Sequence, residues 1–464
     1  MPRRPEFWVP ARLSADKPAY IAIADAIHDD LRDGMLKPGD QLPPQRLLAH
    51  EIGLNFTTVS RAYAEARHRG LVEGRVGQGT FVRGEAPLAR QAANRARIVD
   101  MSMNLPPEPS DPALLARMAR GAQNACGDIV SVLRYAPFGG SEDDKAAGLA
   151  WLARRGVQAS HDTLLVCPGT HAILNGLLSA LAGPEGGRIC CDAITYPGIK
   201  ALAALHGVSL VGLPADADGM LPDAFDEACR TARPTALYLN PTLHNPTTRT
   251  VPLARREALV EVARRHAVTI IEDDPYSLLL DAPPPSFFSL MPERTYYIGS
   301  LSKTVGAGLR IAYLALPDAR QAPRLGAIMR AVSVMPPPMT LAVATQWIED
   351  GTAVRLLEFV REESRARQAL VAEALRDVPY LAAPEGFHLW LPLPEGWSRV
   401  SFATHLRNSG IGVVTSDAFL VSGAAIEAVR VCLGGRASRH EVVNSLEVAA
   451  SALSHPPAIY SSIV

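Results

Sequence analysis

From about residue 101 onward, short apolar runs that end in polar or glycine residues are separated by stretches with helical spacing. TLLVC, GRICCD, TALYLN, VTIIEDD and TYYIGS are such runs, and PLARREALVEVARRHA is one of the spacers. Runs that stay apolar without alternation are buried on both faces, and helical spacers cross over so that successive strands lie parallel. The pattern predicts an α/β domain with a mostly parallel central sheet. It also predicts where ligands sit, because such sheets bind them beyond the carboxyl ends of the strands.

The chain has 464 residues, more than one core accommodates. Residues 17–84 form one textural unit, residues 85–100 (small, basic and weakly periodic) read as a linker, and 101–455 as the α/β unit. Within that unit a large lobe spans about 120–335. LLEFVREESRARQALVAEALRD, HLWLPL and VRVCLGG suggest a smaller α+β lobe over about 340–455. The 46 basic residues balance 47 acidic ones, so the whole chain offers no bulk field for nucleic acid or an anionic membrane. Without a membrane-length apolar run or a signal-like start, a cytoplasmic protein is expected. The six cysteines lack metal-ligand spacing, so no metal site or disulfide framework is expected, only buried free thiols.

Three short helices are predicted over PAYIAIADAIHDDLRD, PQRLLAHEIG and NFTTVSRAYAEARHRG, the third capped by Asn55. LVEGRVGQGTFVRG follows as a two-strand hairpin. This order describes a winged helix-turn-helix, whose third helix presents its first turn to base edges. Asn55, Thr57, Thr58 and Arg61 are candidates there, with Arg46 on the preceding helix and Arg75, Gln78 and Thr80 on the wing gripping the backbone. Residues 17–84 carry nine basic and eight acidic residues, but the acids crowd the first helix and the bases the third helix and wing. That segregation is what binding to double-stranded DNA needs.

The α/β unit places chemistry at its strand ends. SLSK puts Lys303, one of only five lysines, after the TYYIGS run, with Arg310 close behind. IIEDDPY ends a strand in Asp273 and carries Tyr276. YLNPTLHNPTTRT supplies Asn245, and VCPGTHAIL opens a helix at a Gly-Thr-His turn suited to a phosphate. An amine, a carboxylate, an amide, a phenol and an anion-binding turn together fit pyridoxal 5′-phosphate. Lys303 would be its covalent tether, Asp273 the partner of its ring nitrogen, and Asn245 and Tyr276 donors to its phenolic oxygen. Thr170, His171, Ser300, Ser302 and Arg310 would gather round the phosphate. Tyr196 of DAITYPG would stack on the ring.

GDQLPPQRLLAHEIGLNFTTVSRAYAEARHRGLVEGRVGQGTFV resembles the GntR-type winged-helix domain throughout, with Pro44 for a usual Ser and Asn55-Phe56 for a usual Ser-Arg. PGTHAIL, TYPG, HNPTT, EDDPY and SLSKTVGAGLRIAY resemble, in order and spacing, the signatures of fold type I aminotransferases. Thr248 and Ala312 replace glycines of that pattern. A GntR-type head on an aminotransferase-like domain is similar to the MocR subfamily of regulators. The resemblance implies that Arg430 of AVRVCLGG grips a ligand carboxylate, and that Tyr135 of RYAPFGG reaches a partner subunit's phosphate in a homodimer, with DNA-binding heads swapped between subunits. It implies a transcriptional regulator sensing a small amino compound or the cofactor itself. Two other readings stay open: a working aminotransferase with an accessory DNA-binding domain, and a repressor whose large domain has lost its cofactor.

Overall fold

The computed structural model describes residues 7–10, 17–32, 35–37, 39–69, 71–75, 79–82, 98–182 and 186–454. The chain divides into two compact units, Met1–Arg97 and Ile98–Val464.

In the first unit, α1 (Ala19–Arg32), α2 (Gln45–Glu51) and α3 (Phe56–His68) surround a core of Ile23, Ile27, Leu48, Val59 and Tyr63. These positions recur at helical spacing, so each helix turns one stripe inward. Gly53 adopts a left-handed φ of 67° between α2 and α3, which lets the chain reverse tightly. The expected two-strand wing is a three-stranded antiparallel sheet. Besides β2 (Val72–Arg75) and β3 (Gly79–Val82) it holds β1 (Gln41–Leu42), too short to leave an apolar pattern. Gln78, the expected linker residues 85–97 and the Arg75 side chain lie outside the described residues.

The second unit opens on β4 (Val99–Asp100), so ordered strand begins inside the segment read as linker. Helices α4 (Pro112–Ala125) and α5 (Glu142–Ala153) follow. The central sheet has seven strands in the order β5-β13-β12-β11-β10-β6-β7. They are β5 (Leu164–Cys167), β6 (Arg188–Asp192), β7 (Ser209–Leu213), β10 (Ala236–Leu239), β11 (Thr269–Asp273), β12 (Thr295–Ser300) and β13 (Ala312–Ala315). A small hairpin, β8 (Ala215–Asp216) and β9 (Gly219–Met220), stands apart. Only β13 runs antiparallel to its neighbours. The apolar runs are the strands, and β5, β10 and β12 are buried at every residue.

A four-stranded sheet, β14-β15-β18-β17, forms the smaller lobe from β14 (Leu381–Ala382), β15 (His388–Pro392), β17 (Val414–Thr415) and β18 (Ala428–Cys432). β16 (Ile411–Gly412) pairs in parallel with β4. Met101 packs in the same core as Leu389, Val431 and Leu446, so the start of this unit belongs to the smaller lobe. All six cysteines are free thiols, five of them buried. No helix among the described residues is long and apolar enough to cross a membrane.

Candidate functional site

The carboxyl ends of β5, β10, β11 and β12 face one side of the sheet, where a cavity of about 700 Å³ lies. Its walls bring together Thr170, His171, Tyr196, Asn245, Asp273, Tyr276, Ser300, Ser302, Lys303, Arg310 and Arg430. Tyr135 does not line it and is 85% exposed.

Three consecutive acids end β11, and their surroundings separate their roles. Glu272 faces the Arg256 guanidinium at 3.4 Å and Asp274 the Arg155 guanidinium at 2.8 Å, all four side chains buried. These are structural ion pairs, each charge answered by a cation. Asp273, between them, has no such cation: Tyr238 Oη donates to Oδ2 at 2.9 Å, and Oδ1 is buried with no partner. Burial pushes its carboxyl up to about 7. An acceptor left open inside a cavity calls for a proton-bearing ligand group. Asn240 holds the strand end, donating from Nδ2 to Asp273 O at 2.7 Å while its Oδ1 accepts from Asn245 N at 2.9 Å.

Lys303 ends a single 3-10 turn after β12, fixed where Ser300 Oγ accepts from Ser302 N. Its Nζ donates to Asn104 O. Burial first, and then the Arg430 and Arg310 cations, lower its pKa to about 8, against the opposing pull of Cys432 and Asp273. A neutral, nucleophilic amine is therefore accessible near physiological pH.

Opposite, α6 (Thr170–Ala182) starts at Gly169, whose φ of 91° aims the helix N-terminus into the cavity. A Cβ at Gly169 would stand 2.7 Å from the Arg310 guanidinium, so only glycine lets the arginine lie against this turn. His171 Nε2 and Tyr196 Oη are 2.6 Å apart. Burial and Arg310 hold the His171 pKa below its ordinary value. A Cβ at Gly198 would meet the Tyr196 ring at 2.3 Å, so that glycine makes room for the phenol.

Arg430, buried in β18, donates from Nη1 to Asn245 Oδ1 at 2.7 Å and from Nη2 to Ser102 O at 2.5 Å, while its Nε has no partner. Tyr276 Oη accepts from Asn104 Nδ2 at 2.9 Å. Asn245 and Tyr276, expected to donate to a cofactor oxygen, are also bonded to Arg430 and to Asn104 respectively. Sequence reasoning missed Ser102, Asn104, Tyr238, Asn240 and Phe419. Tyr238 and Asn240 lie in the TALYLN segment already read as a strand, and their closeness to Asp273 could have been inferred from strand adjacency. Asn104 stands 199 residues from Lys303 and left no local signal.

In the first unit, Asn55 Oδ1 accepts from Thr58 N, Thr57 Oγ1 and Thr58 Oγ1, each at 2.7 Å. The two hydroxyls expected to reach DNA therefore give their protons to the cap, leaving only oxygen lone pairs outward. Arg61 lies over the Tyr20 ring at 4.3 Å and Arg46 over Phe56 at 5.7 Å, and both arginines are exposed. Thr80 is half-buried in β3 and pairs with Leu42 and Gly74.

A strand-end pocket on this sheet and a winged helix-turn-helix define a DNA-binding head joined to a transaminase-like domain. The family model described as Aminotransferase class I and II matches residues 96–446, and that of Bacterial regulatory proteins, gntR family, matches 19–82. The chain belongs to the aminotransferase class I and II family and carries a gntR-family DNA-binding head, the layout of the MocR subfamily. It is 30% identical over 448 residues to an uncharacterized HTH-type transcriptional regulator of Bacillus subtilis, YdeF, covering 96% of each chain. It is 26% identical over 384 residues to the pyridoxine biosynthesis transcriptional regulator PdxR of Corynebacterium glutamicum, covering 80% of this chain and 82% of that one. Among solved structures, the α-aminoadipate aminotransferase LysN of Thermus thermophilus shares the fold. Its TM-score is 0.70 at 24% identity, over 80% of this chain and 95% of that one.

Pyridoxal phosphate is the cofactor of this domain, and the residues fit it. Asp273 Oδ1 is an open acceptor for a protonated ring nitrogen, and Gly169, bare beside Arg310, leaves a cradle for a phosphate.

Proposed function

We propose that this protein is a pyridoxal-phosphate-dependent transcriptional regulator that senses a small amino compound. The observation that carries this reading is the buried Asp273 carboxylate, its Oδ1 without a partner, in the same cavity as Lys303, on a chain headed by a winged helix-turn-helix. The cofactor supplies an aldehyde that takes up amines reversibly and a ring that draws electron density.

The chain's own residues do the rest. Asp273 keeps a proton on the ring nitrogen, and Lys303 offers the amine that tethers the aldehyde and afterwards can hold or pass a proton. The α6 amides with Thr170, Ser300, Ser302 and Arg310 hold the phosphate, and Tyr196 with His171 covers one ring face. Asn245 and Tyr276 orient the phenolic oxygen. Arg430, with its Nε still unpaired, receives the carboxylate of the sensed compound as a planar fork. Tyr135, exposed beside Leu133 and tied through Ala136 N to Met335 Sδ at 3.2 Å, marks the face through which we infer a homodimer. On the DNA side, Arg46, Arg61 and the wing residues Arg75, Gln78 and Thr80 hold phosphates, while the α3 turn at Asn55, Thr57 and Thr58 sits at base edges. The protein acts in the cytoplasm on a promoter or operator in double-stranded DNA.

The test is a promoter-binding titration of full-length protein with the cofactor bound and stripped. A coupling of at least about fivefold supports the regulator. Equal affinities contradict it. The lowered pKa of Lys303 favours a second reading, a working aminotransferase, because a neutral amine also moves protons in turnover. Sustained conversion of an amino donor with a keto acid would carry that reading; a single round carries the sensor.

A further inference from the structure

Residues 98–108 are pinned to the smaller lobe at both ends. β4 pairs with β16, and at the far end Gly435 N donates to Pro106 O at 3.0 Å while Glu108 N donates to Gly435 O at 3.2 Å. Between these anchors Ser102, Met103, Asn104 and Leu105 cross the cavity as part of its wall. The passage is close: a Cβ at Gly434 would stand 1.8 Å from Leu105 O, so only glycine lets the segment through.

What holds this middle section is unusual. Ser102 O accepts from Arg430 Nη2 at 2.5 Å, and Asn104 O accepts from Lys303 Nζ. Asn104 Nδ2 donates to Tyr276 Oη at 2.9 Å, while its Oδ1 is buried and has no partner. Two backbone carbonyls thus sit on the two cations for which the ligands of the pocket compete. Joining Lys303 Nζ to the cofactor's aldehyde would form one carbon–nitrogen double bond, release one water and take away the donor that Asn104 O accepts from. A ligand carboxylate on Arg430 likewise displaces Ser102 O. The unpaired Asn104 Oδ1 means that the held position is incompletely satisfied, which lowers the cost of leaving it.

We propose that Ser102–Leu105 is a ligand-released strap: Lys303 and Arg430 hold it by its carbonyls, the cofactor alone loosens it by taking Lys303, and a carboxylate on Arg430 frees it further. Asn104, which joins the strap to Lys303 by its carbonyl and to Tyr276 by its amide, is the residue through which the pocket's state reaches the strap. This rests on the tethering and carboxylate roles given to Lys303 and Arg430 above. The ligand shifts the strap because it competes for the strap's own partners, which is the differential interaction that such a shift requires. The strap lies a few residues beyond Arg97 in the chain, at the start of the second unit.

Hydrogen exchange on the full-length protein tests this with pyridoxal phosphate as the probe. The amides of Ser102, bonded to Asp100 Oδ1 at 2.9 Å, and Leu105, bonded to Met103 O at 2.8 Å, report the strap. Loading stripped protein until its visible absorbance band is complete is expected to speed their exchange about fivefold or more, the loss of one hydrogen bond's protection. Stripped Lys303→Ala protein is expected to exchange at the raised rate already, and adding the cofactor to change it no further. Equal or slower exchange in the loaded wild type, with the band present, overturns the strap and leaves the regulator standing. Absence of the band overturns both. Should Lys303→Ala not fold, the wild-type comparison alone decides.

Discussion

The α3 turn of the head and the strand-end pocket of the second unit are both polar sites, built on opposite terms. At α3 the polar groups satisfy each other: Asn55 Oδ1 takes three donors, and Arg61 and Arg46 rest on Tyr20 and Phe56 in full view of solvent. In the pocket they are buried and left wanting, with Asp273 Oδ1, Asn104 Oδ1 and Arg430 Nε all without partners. The contrast follows from the ligands. A DNA backbone is a strong polyanion met at the surface, so exposed cations bind it by releasing counterions and can be fully hydrated beforehand. A small cofactor must be held in a dry cavity, where each acceptor it will satisfy stands unsatisfied until it arrives.

Substitutions on the two sides sharpen that contrast. The largest expected effect is in the pocket: Asp273→Ala removes the one carboxylate among the described residues that lines the cavity. Cofactor affinity is expected to fall by about a hundredfold, as for a lost charge-assisted hydrogen bond. A spectrophotometric titration checks this, and stripped-protein promoter affinity should not move. On the surface, Arg61→Ala is expected to weaken promoter binding by about tenfold and to flatten the salt dependence by about one unit of slope, with the cofactor spectrum unchanged. If it instead alters the spectrum and not the DNA affinity, the division of labour between the units is wrong. The smallest effect is expected at Asn55→Ala. Removing the cap costs the head about 1 kcal/mol, read as an earlier unfolding transition of that unit alone.

Much of this contrast was legible in the residue order, and its gaps have physical causes. Strands buried on both faces announce themselves as apolar runs, so LLVC, RICCD, ALYL and TYYIGS could be placed and their polar ends collected into one site. Elements of two residues, such as Gln41–Leu42 and Val99–Asp100, carry no periodicity, and their partners lie far off in the chain. The Ser102–Leu105 passage was invisible for the same reason, since its partners Lys303 and Arg430 come from distant strands. The order of residues singles out Asp273 for the ring nitrogen, but that Glu272 and Asp274 are taken up by Arg256 and Arg155 depends on buried contacts that leave no local pattern. Residue order places Thr57 and Thr58 among the DNA-facing candidates but carries no sign that both hydroxyls also donate to Asn55 Oδ1. Thr248, where the aminotransferase pattern has glycine, takes a φ of 63°, a left-handed conformation that a β-branched residue adopts only under strain.

The central claim is that Lys303 is the amine that carries the cofactor, and it can be tested chemically. Full-length protein saturated with pyridoxal phosphate is reduced with borohydride, digested, and its peptides mapped by mass. The account predicts one pyridoxylated site, Lys303, with the other four lysines bare. A label on Lys145 or Lys200, or no label after reduction of a saturated sample, would contradict it.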